Sequence, residues 1–286
     1  MIDPQSSFVQ ANGLRLNYLT WGEANARPIV LNHATGFLAR LWEPVAVRLA
    51  DAGYRVLAYD ARGHGDSEKP EPMLENYDWL RAVDDLRGFL DATGLRGVPF
   101  VGHSFGGATG LYLAGTRPEY LSRIVAIEPI VMPGGFTPDA TRRDEMAAGA
   151  RRRRHVFASA EEMIEQYRSR PAFAKWTDET LRLYVEHGTI RREDGSLELK
   201  CSGEIEGAMF WNSGSLPVWE VLPQLEAPVL VMRGETTEGL LSMVAESVAS
   251  RAPQGTLETI PDAGHLAPME QPAAVAAAVL RVVDSR

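Results

Sequence analysis

The sequence predicts an α/β fold in which a mostly parallel central sheet carries helices on both faces and a helical cap is inserted into it. Short apolar runs alternate with amphipathic segments along most of the chain, as in parallel strands joined by crossover helices. The alternation stops after Glu128 and resumes at Pro228, and the segment between is charged, with mainly helical periodicity. We therefore assign residues 1–132 and 216–286 to the core domain and 133–215 to the cap.

The core elements follow in a regular order. Residues 8–19 alternate apolar and polar side chains around Asn12-Gly13, which is typical of a β-hairpin. Further strands are predicted at residues 28–32, 54–59, 123–127, 228–232 and 256–260, besides the strand that leads to Ser104. Helices are predicted at residues 42–50, 79–90, 240–250 and 272–283, besides the helix that follows Ser104.

Composition narrows the class of protein. The 286 residues are 45% hydrophobic and 23% charged, which is ordinary for a globular protein. The formal charge of −9 argues against a nucleic-acid-binding function. A single cysteine, Cys201, excludes an intrachain disulfide and a cysteine-rich metal site. Neither a signal-peptide pattern nor an apolar run of membrane-spanning length is present, so we expect a cytoplasmic protein.

The most informative motif is Gly102-His103-Ser104-Phe105-Gly106, which lies between an apolar strand and a helix of small residues. In this context G-x-S-x-G places a serine on a sharp strand-to-helix turn, with the glycines required where backbone meets backbone. The serine also lies at a helix N-terminus, where free N–H groups stabilise developing negative charge. Ser104 is therefore the predicted nucleophile.

A serine nucleophile needs a base, and His265 is the predicted one. It follows the last strand, beside Gly264, and neutral imidazole is a competent base near pH 7. His33 and His64 lie in loops that follow strands and are predicted to be structural. His103 is expected to point away from Ser104, whereas His155 and His187 fall in the cap.

The histidine in turn needs a carboxylate that fixes its tautomer. Glu238 is the preferred candidate, because it follows a strand and precedes His265 by one helix and one strand. Glu128, at the end of the strand after the Ser104 helix, is the alternative, since sites in open α/β sheets form at that edge. Glu235 is a weaker third choice.

The oxyanion of an acyl-transfer reaction needs two N–H donors. The backbone N–H of Phe105, directly after the nucleophile, is one predicted donor. The N–H of Thr35, in the loop His33-Ala34-Thr35-Gly36-Phe37, is the other.

Aromatic side chains supply the predicted pocket and the core of the cap. Phe37, Trp42 and Phe105 are the pocket candidates, because they lie near the predicted chemistry. Aromatic residues of the cap are predicted to form mainly its own core: Phe136, Phe157, Tyr167, Phe173, Trp176, Tyr184, Phe210 and Trp211. The basic run of residues 151–154 is predicted to be a solvated helix face, with attraction of a carboxylate-bearing substrate as the alternative.

These segments together resemble the α/β-hydrolase fold superfamily, in its serine esterase and lipase branch, over nearly the whole chain. The matching segments are HATGF, DARGHGDS, GHSFGG and DAGHLAPMEQP, in family order. The resemblance implies Ser104 as nucleophile, Glu238 as acid and His265 as base. The chain departs from the family in having Ala34 where glycine is usual and Glu238 where aspartate is usual. Glu128 matches the acid position of haloalkane dehalogenases, but those enzymes and epoxide hydrolases carry aspartate in place of Ser104.

The sequence thus predicts a carboxylic ester hydrolase that acts on a small to medium apolar substrate through an acyl-enzyme, without a metal or organic cofactor. Lactones and thioesters are open alternatives, because the same groups cleave them. Carbon–carbon bond hydrolysis, cofactor-free perhydrolysis and a non-catalytic binding role also remain open. The oligomeric state is not predicted.

Overall fold

The computed structural model describes residues 3–134 and 139–285. Eleven strands are present in this part of the chain: β1 Gln5–Ala11, β2 Leu14–Trp21, β3 Arg27–Asn32, β4 Tyr54–Tyr59, β5 Val98–His103, β6 Leu121–Ile127, β7 Val156–Phe157, β8 Thr189–Arg191, β9 Leu197–Leu199, β10 Val229–Gly234 and β11 Gly255–Ile260. The described α-helices are α1 Glu43–Asp51, α2 Trp79–Ala92, α3 Phe105–Thr116, α4 Ala140–Arg151, α5 Ala160–Arg168, α6 Asp178–His187, α7 Gly203–Trp211, α8 Val218–Val221, α9 Leu240–Arg251, α10 Ala267–Glu270 and α11 Pro272–Asp284.

Eight strands form the central sheet, in the order β1-β2-β4-β3-β5-β6-β10-β11. The β1–β2 hairpin and the β2–β4 pair are antiparallel, and every other neighbouring pair is parallel. The prediction of a mostly parallel sheet is therefore confirmed. Parallel strands end at one edge of the sheet, so the residues after β5, β6 and β11 meet there.

One apolar core lies on each face of the sheet. On one face α2 and α3 contribute Leu86, Phe89 and Leu111, which pack with Val30 and Phe100. On the other face α1 and α11 pack on the sheet through Val45, Leu49, Val275 and Val279. Helices thus cover both faces, as the alternating pattern predicts. None of the described helices is long and apolar enough to cross a membrane.

The segment between β6 and β10 contains four of the longer helices, α4 to α7, and also a small antiparallel sheet of order β7-β9-β8. The sequence analysis predicts a mainly helical cap and no strand in this segment, so the three short strands correct it. These strands are two or three residues long, too short to show a period of two in the sequence. The cap boundaries at residues 133 and 215 stay a prediction, and residues 135–138, including Phe136, lie outside the described part.

The cap aromatic residues behave mainly as predicted. Phe157, Tyr167, Trp176 and Tyr184 are buried in one cluster with Leu41 and neighbours from the loop after β3. Tyr184 packs edge-on against Phe37, with 5.8 Å between the ring centroids. The inserted segment is therefore held on the core domain by an apolar contact, at the sheet edge where the strands end.

Candidate active site

Ser104 lies at the turn between β5 and α3, with φ 55° and ψ −111°. A non-glycine residue at positive φ is strained and is retained where the surroundings hold it in place. An added Cβ at Gly106 would stand 2.5 Å from the Asn32 carbonyl oxygen, and one at Gly102 would meet the Gly106 backbone. The two glycines of the motif therefore permit the tight turn that presents the serine.

The His265 ring faces this serine. Its Nε2 lies 3.2 Å from Ser104 Oγ, within hydrogen-bonding distance. The ring is carried by the loop after β11, and this loop can approach β10 closely because Gly234 has no side chain. The arrangement allows neutral His265 to accept the proton of the Ser104 hydroxyl.

Glu128 is the carboxylate that contacts His265. Its Oε2 lies 3.3 Å from Nδ1 of the ring, and its side chain is fully buried. Its Oε1 accepts hydrogen bonds from the Gly234 N–H and the Thr237 hydroxyl, both at 2.6 Å. These donors hold the carboxylate in place, so that His265 carries its proton on Nδ1 and leaves Nε2 free to accept.

The sequence analysis prefers Glu238 as the carboxylate partner of His265, and this assignment is wrong. Glu238 is exposed in the loop before α9, and no hydrogen bond joins it to His265 in the described part of the chain. Glu128 directly follows β6, which lies beside β5 on one side and β10 on the other. Its carboxylate is therefore at the same sheet edge as Ser104 and the loop after β11 that carries His265. Glu235, the third choice, binds the Asp262 N–H instead, at 3.0 Å.

Three buried histidines support the site without facing the serine hydroxyl. His103 Nε2 donates to the backbone oxygen of His265 at 2.7 Å, so it ties the histidine loop to the end of β5. His33 Nε2 accepts from the Ala61 N–H at 2.9 Å, and His64 Nε2 accepts from the Gly36 N–H at 3.0 Å. These contacts agree with the predicted structural roles.

Burial keeps these three rings neutral. Desolvation lowers the pKa of His33 to about 4 and that of His64 to about 3. The pKa of His103 is lowered to about 3, first by burial and then by the nearby His265. A neutral ring both donates and accepts, and these two rings do both: Nδ1 of His33 donates to the Ala34 oxygen and Nδ1 of His64 donates to the Arg62 oxygen, each at 2.8 Å.

That loop lies against the N-terminus of α3. Thr35 lines the same cavities as Ser104, and Phe105 is the first residue of the helix. Among residues 3–134 and 139–285 neither the Thr35 N–H nor the Phe105 N–H donates a hydrogen bond to another residue. Both predicted oxyanion donors are therefore available to a substrate.

Two cavities meet at Ser104, and both are also lined by His265, Thr35 and Phe210. The first, of about 410 Å³, has apolar walls from Trp79, Ile130, Met132, Met146, Leu240 and Leu241, with Arg142, Arg143, Ser213 and Glu238 as its further polar residues. We call it the arginine cavity. The second, of about 610 Å³, is lined by Phe37, Phe173 and Leu266, with Arg153, Lys175, Glu206 and Glu270 among its charged residues. We call it the aromatic cavity.

Of the three predicted pocket residues, Phe37 alone lines one of these two cavities. Trp42 is 2% exposed and packs beneath the sheet with Leu49 and Ile29, so its assignment as a substrate contact is wrong. Phe105 is also buried, with its ring 5.0 Å from that of Trp79. Trp79, at the start of α2, was missed because its amphipathic spacing is that of an ordinary core residue.

The basic run of residues 151–154 is largely paired. Arg151 contacts Glu204 at 2.9 Å, and Arg154 contacts Glu162 at 2.7 Å, both at the surface. Arg153 is mostly buried, with 11% of its side chain exposed, and is paired with Glu206 at 3.0 Å. The prediction of a solvated face holds for Arg151, Arg152 and Arg154, which are exposed, but not for Arg153, which lines the aromatic cavity.

Comparison with known proteins agrees with this geometry. A model described as the alpha/beta hydrolase family matches residues 29–278. The chain belongs to this family. A solved E-2-(acetamidomethylene)succinate hydrolase superposes on this hydrolase with a TM-score of 0.83 and 22% identity, covering 99% of this chain and 100% of the other. At that identity the likeness establishes the fold.

Curated relatives of this hydrolase have several different activities. Epoxide hydrolase A of Mycobacterium tuberculosis is 35% identical over 135 residues, 47% of this chain and 42% of that protein. The matched part is thus less than half the length of that relative. A 2-(acetamidomethylene)succinate hydrolase of Mesorhizobium japonicum is 27% identical over 273 residues, 92% of this chain and 90% of that protein. Family membership therefore supports hydrolysis. It does not say which type of bond is cleaved, so that question is argued from the geometry of the site.

Proposed function

We propose that this protein is a serine hydrolase that cleaves carboxylic esters through an acyl-enzyme, with Ser104 as nucleophile, His265 as base and Glu128 as acid. The observation that carries the proposal is the continuous hydrogen-bonded chain from Ser104 Oγ through the His265 ring to Glu128. Serine at this position argues against epoxide hydrolysis and dehalogenation, whose enzymes in this superfamily form their covalent ester on aspartate.

The reaction begins when His265 Nε2 takes the proton of the Ser104 hydroxyl as Oγ attacks the acyl carbon. The oxyanion receives hydrogen bonds from the N–H groups of Phe105 and Thr35, each worth about 3 kcal/mol to the transition state. Glu128 stabilises the imidazolium, which then protonates the leaving alkoxide. Water then gives a proton to His265 as its oxygen attacks the acyl carbon. The imidazolium returns this proton to Ser104 Oγ as the acyl–Oγ bond breaks and the acid leaves.

The test is hydrolysis of a p-nitrophenyl ester series, from acetate to long acyl chains. Wild type is compared with Ser104→Ala and with Ser250→Ala, a control at an exposed serine of α9. We expect release that depends on Ser104 and peaks at one chain length, with Ser250→Ala unchanged. A folded wild-type protein that releases nitrophenol from no ester would refute the ester proposal. Lactone, thioester and carbon–carbon substrates, and a binding role, would then be examined.

A further inference from the structure

The two cavities that meet at Ser104 differ in how their charges are balanced. In the aromatic cavity Arg153 is paired with Glu206 at 3.0 Å. Lys175 donates there to the Thr236 hydroxyl and the Asp262 carbonyl, at 3.3 and 3.2 Å. Glu206 and Glu270 balance these two cations in number. This cavity therefore has no excess of positive charge, and Phe37 and Phe173 give it an apolar wall.

The arginine cavity is different. Arg142 and Arg143, from the first turn of α4, line it together with a single carboxylate, Glu238. Arg142 is exposed and Arg143 is half-buried. Neither arginine makes an ion pair with a described residue, although Arg151 at the other end of the same helix does. The cavity thus carries one excess positive charge in a protein whose formal charge is −9.

The Arg143 side chain is supported by an aromatic ring, but its guanidinium group lacks a hydrogen-bond partner at one nitrogen among the described residues. Its guanidinium carbon lies 5.5 Å from the centroid of the Trp211 ring, so the aromatic face supports the side chain. Its Nε is buried and has no hydrogen-bond partner in the described part of the chain, as is also true of Nε and Nη2 of Arg153, although Arg153 has a carboxylate partner and Arg143 does not. A buried donor without an acceptor is costly, and a ligand that accepts from it offsets this cost.

We propose that the substrate carries a carboxylate, bound by Arg142 and Arg143 in the arginine cavity, a few bonds from the acyl carbon that Ser104 attacks. This inference rests on the proposed function and names its substrate class. Guanidinium donors match carboxylate geometry and can bind a carboxylate through two parallel hydrogen bonds. The apolar remainder of the substrate occupies the aromatic cavity.

The test compares a matched pair of esters, monoethyl glutarate and ethyl valerate, which differ by the terminal carboxylate. We expect wild type to favour the monoanion in kcat/KM, and Arg142→Met or Arg143→Met to lower that preference about tenfold each by weakening a charge-assisted contact. Turnover of ethyl valerate, which has no carboxylate for either arginine to bind, should fall less than that of the monoanion. Arg151→Met, at a surface arginine of the same helix, should leave both rates unchanged.

The proposal is overturned if wild type does not favour the monoanion, or if Arg151→Met lowers its turnover as much as Arg142→Met does. Arg143→Lys keeps the charge, so recovery of part of the preference separates a lost contact from a misfolded cap. Calorimetric binding of monoethyl glutarate to Ser104→Ala provides a readout without turnover. Binding that requires Arg143, without hydrolysis of either ester by wild type, would retain the carboxylate site and refute the ester function alone. No binding would refute the carboxylate site.

Discussion

Glu128 Oε2 lies 3.3 Å from His265 Nδ1, although 137 positions separate the two residues in the chain. The other carboxylate oxygen is held by the Gly234 N–H and the Thr237 hydroxyl. Glu128 therefore has all the contacts that an orienting acid needs, while Glu238 is exposed in the arginine cavity. This pair of residues leads to the first prediction.

Glu128→Gln should lower kcat by about 10³- to 10⁴-fold, the loss seen when the acid of a serine triad becomes an amide. The amide cannot stabilise imidazolium and can bind the wrong tautomer of His265. Glu238→Gln is the matched variant and should keep the rate for a neutral ester within about threefold, because its side chain does not contact the histidine. Steady-state kinetics on one ester measures both. Equal losses in the two variants would contradict the assignment of Glu128.

His103 should act as a positioning residue for the base. It donates from Nε2 to the backbone oxygen of His265, so His103→Leu should free the histidine loop and leave that oxygen without its donor. We expect kcat to fall about tenfold with little change in KM, since the substrate cavities do not include His103. His103→Gln can still donate and should recover part of the rate. A loss confined to thermal stability would show that the contact is structural only.

Gly106 should be required for the oxyanion loop. A Cβ there would lie 2.5 Å from the Asn32 oxygen and 2.9 Å from the His33 oxygen, so Gly106→Ala should displace the loop that carries Thr35. Loss of one oxyanion donor lowers kcat about 10²- to 10³-fold. Gly149→Ala, in α4, meets nothing within 4 Å and is the control. Unchanged kcat in Gly106→Ala would place the second donor elsewhere.

Arg62 should stabilise the fold through a buried ion pair. It contacts Asp85 with two bonds, of 2.6 and 2.7 Å, and both side chains are almost fully buried. Arg62→Met leaves the Asp85 carboxylate without its cation, which costs about 3–5 kcal/mol in unfolding free energy. The surface pair Arg87–Asp84 provides the control, and Arg87→Met should cost less than about 1 kcal/mol. Urea unfolding distinguishes the two, and similar costs would contradict the prediction.

His64 should make the fold sensitive to acid. Its pKa is about 3 in the folded chain and near 6.5 when exposed, so the unfolded state binds more protons between these values. The neutral ring's contribution to stability is therefore complete above pH 6.5 and is lost as the pH falls toward 3. His64→Gln removes this proton uptake, so its melting temperature should fall less between pH 7.5 and pH 5 than that of wild type. An equal fall in both proteins would contradict the prediction.

Much of this architecture could be predicted from the sequence because its signals are local. The strand at residues 54–59 is predicted to the residue, and the turn at Ser104 follows from its flanking glycines. The acid could not be chosen locally, since Glu128 and Glu238 both follow strands. Strand order leaves both open, because β6 and β10 both lie between β5 and β11. The choice depends on side-chain position: the Gly234 N–H and the Thr237 hydroxyl hold the Glu128 carboxylate against His265, whereas Glu238 is exposed. Glu128 also adopts a positive φ of 49°, which no sequence pattern indicates.

Trp42 shows a second limit of sequence reasoning. Trp42 is near residues 33–37 in sequence, which suggested a pocket residue. It directly precedes α1, however, and is buried with the apolar side of that helix against the sheet. The cavity residues Arg142 and Arg143 belong to a charged helix with little amphipathic pattern. They line the same cavity as Ser104 because the inserted segment packs over the sheet edge, and helical periodicity does not encode such a long-range contact.

The most direct test of the account is the rate at which a small organophosphonate labels Ser104, followed by mass spectrometry of the intact protein and its peptides. Labelling requires the serine to be activated by its histidine but requires no knowledge of the substrate. The account predicts one adduct on Ser104 in wild type, equally fast labelling of Glu238→Gln, much slower labelling of Glu128→Gln and none in Ser104→Ala. No adduct on Ser104 in folded wild type, or slow labelling of Glu238→Gln with Glu128→Gln unaffected, would contradict it.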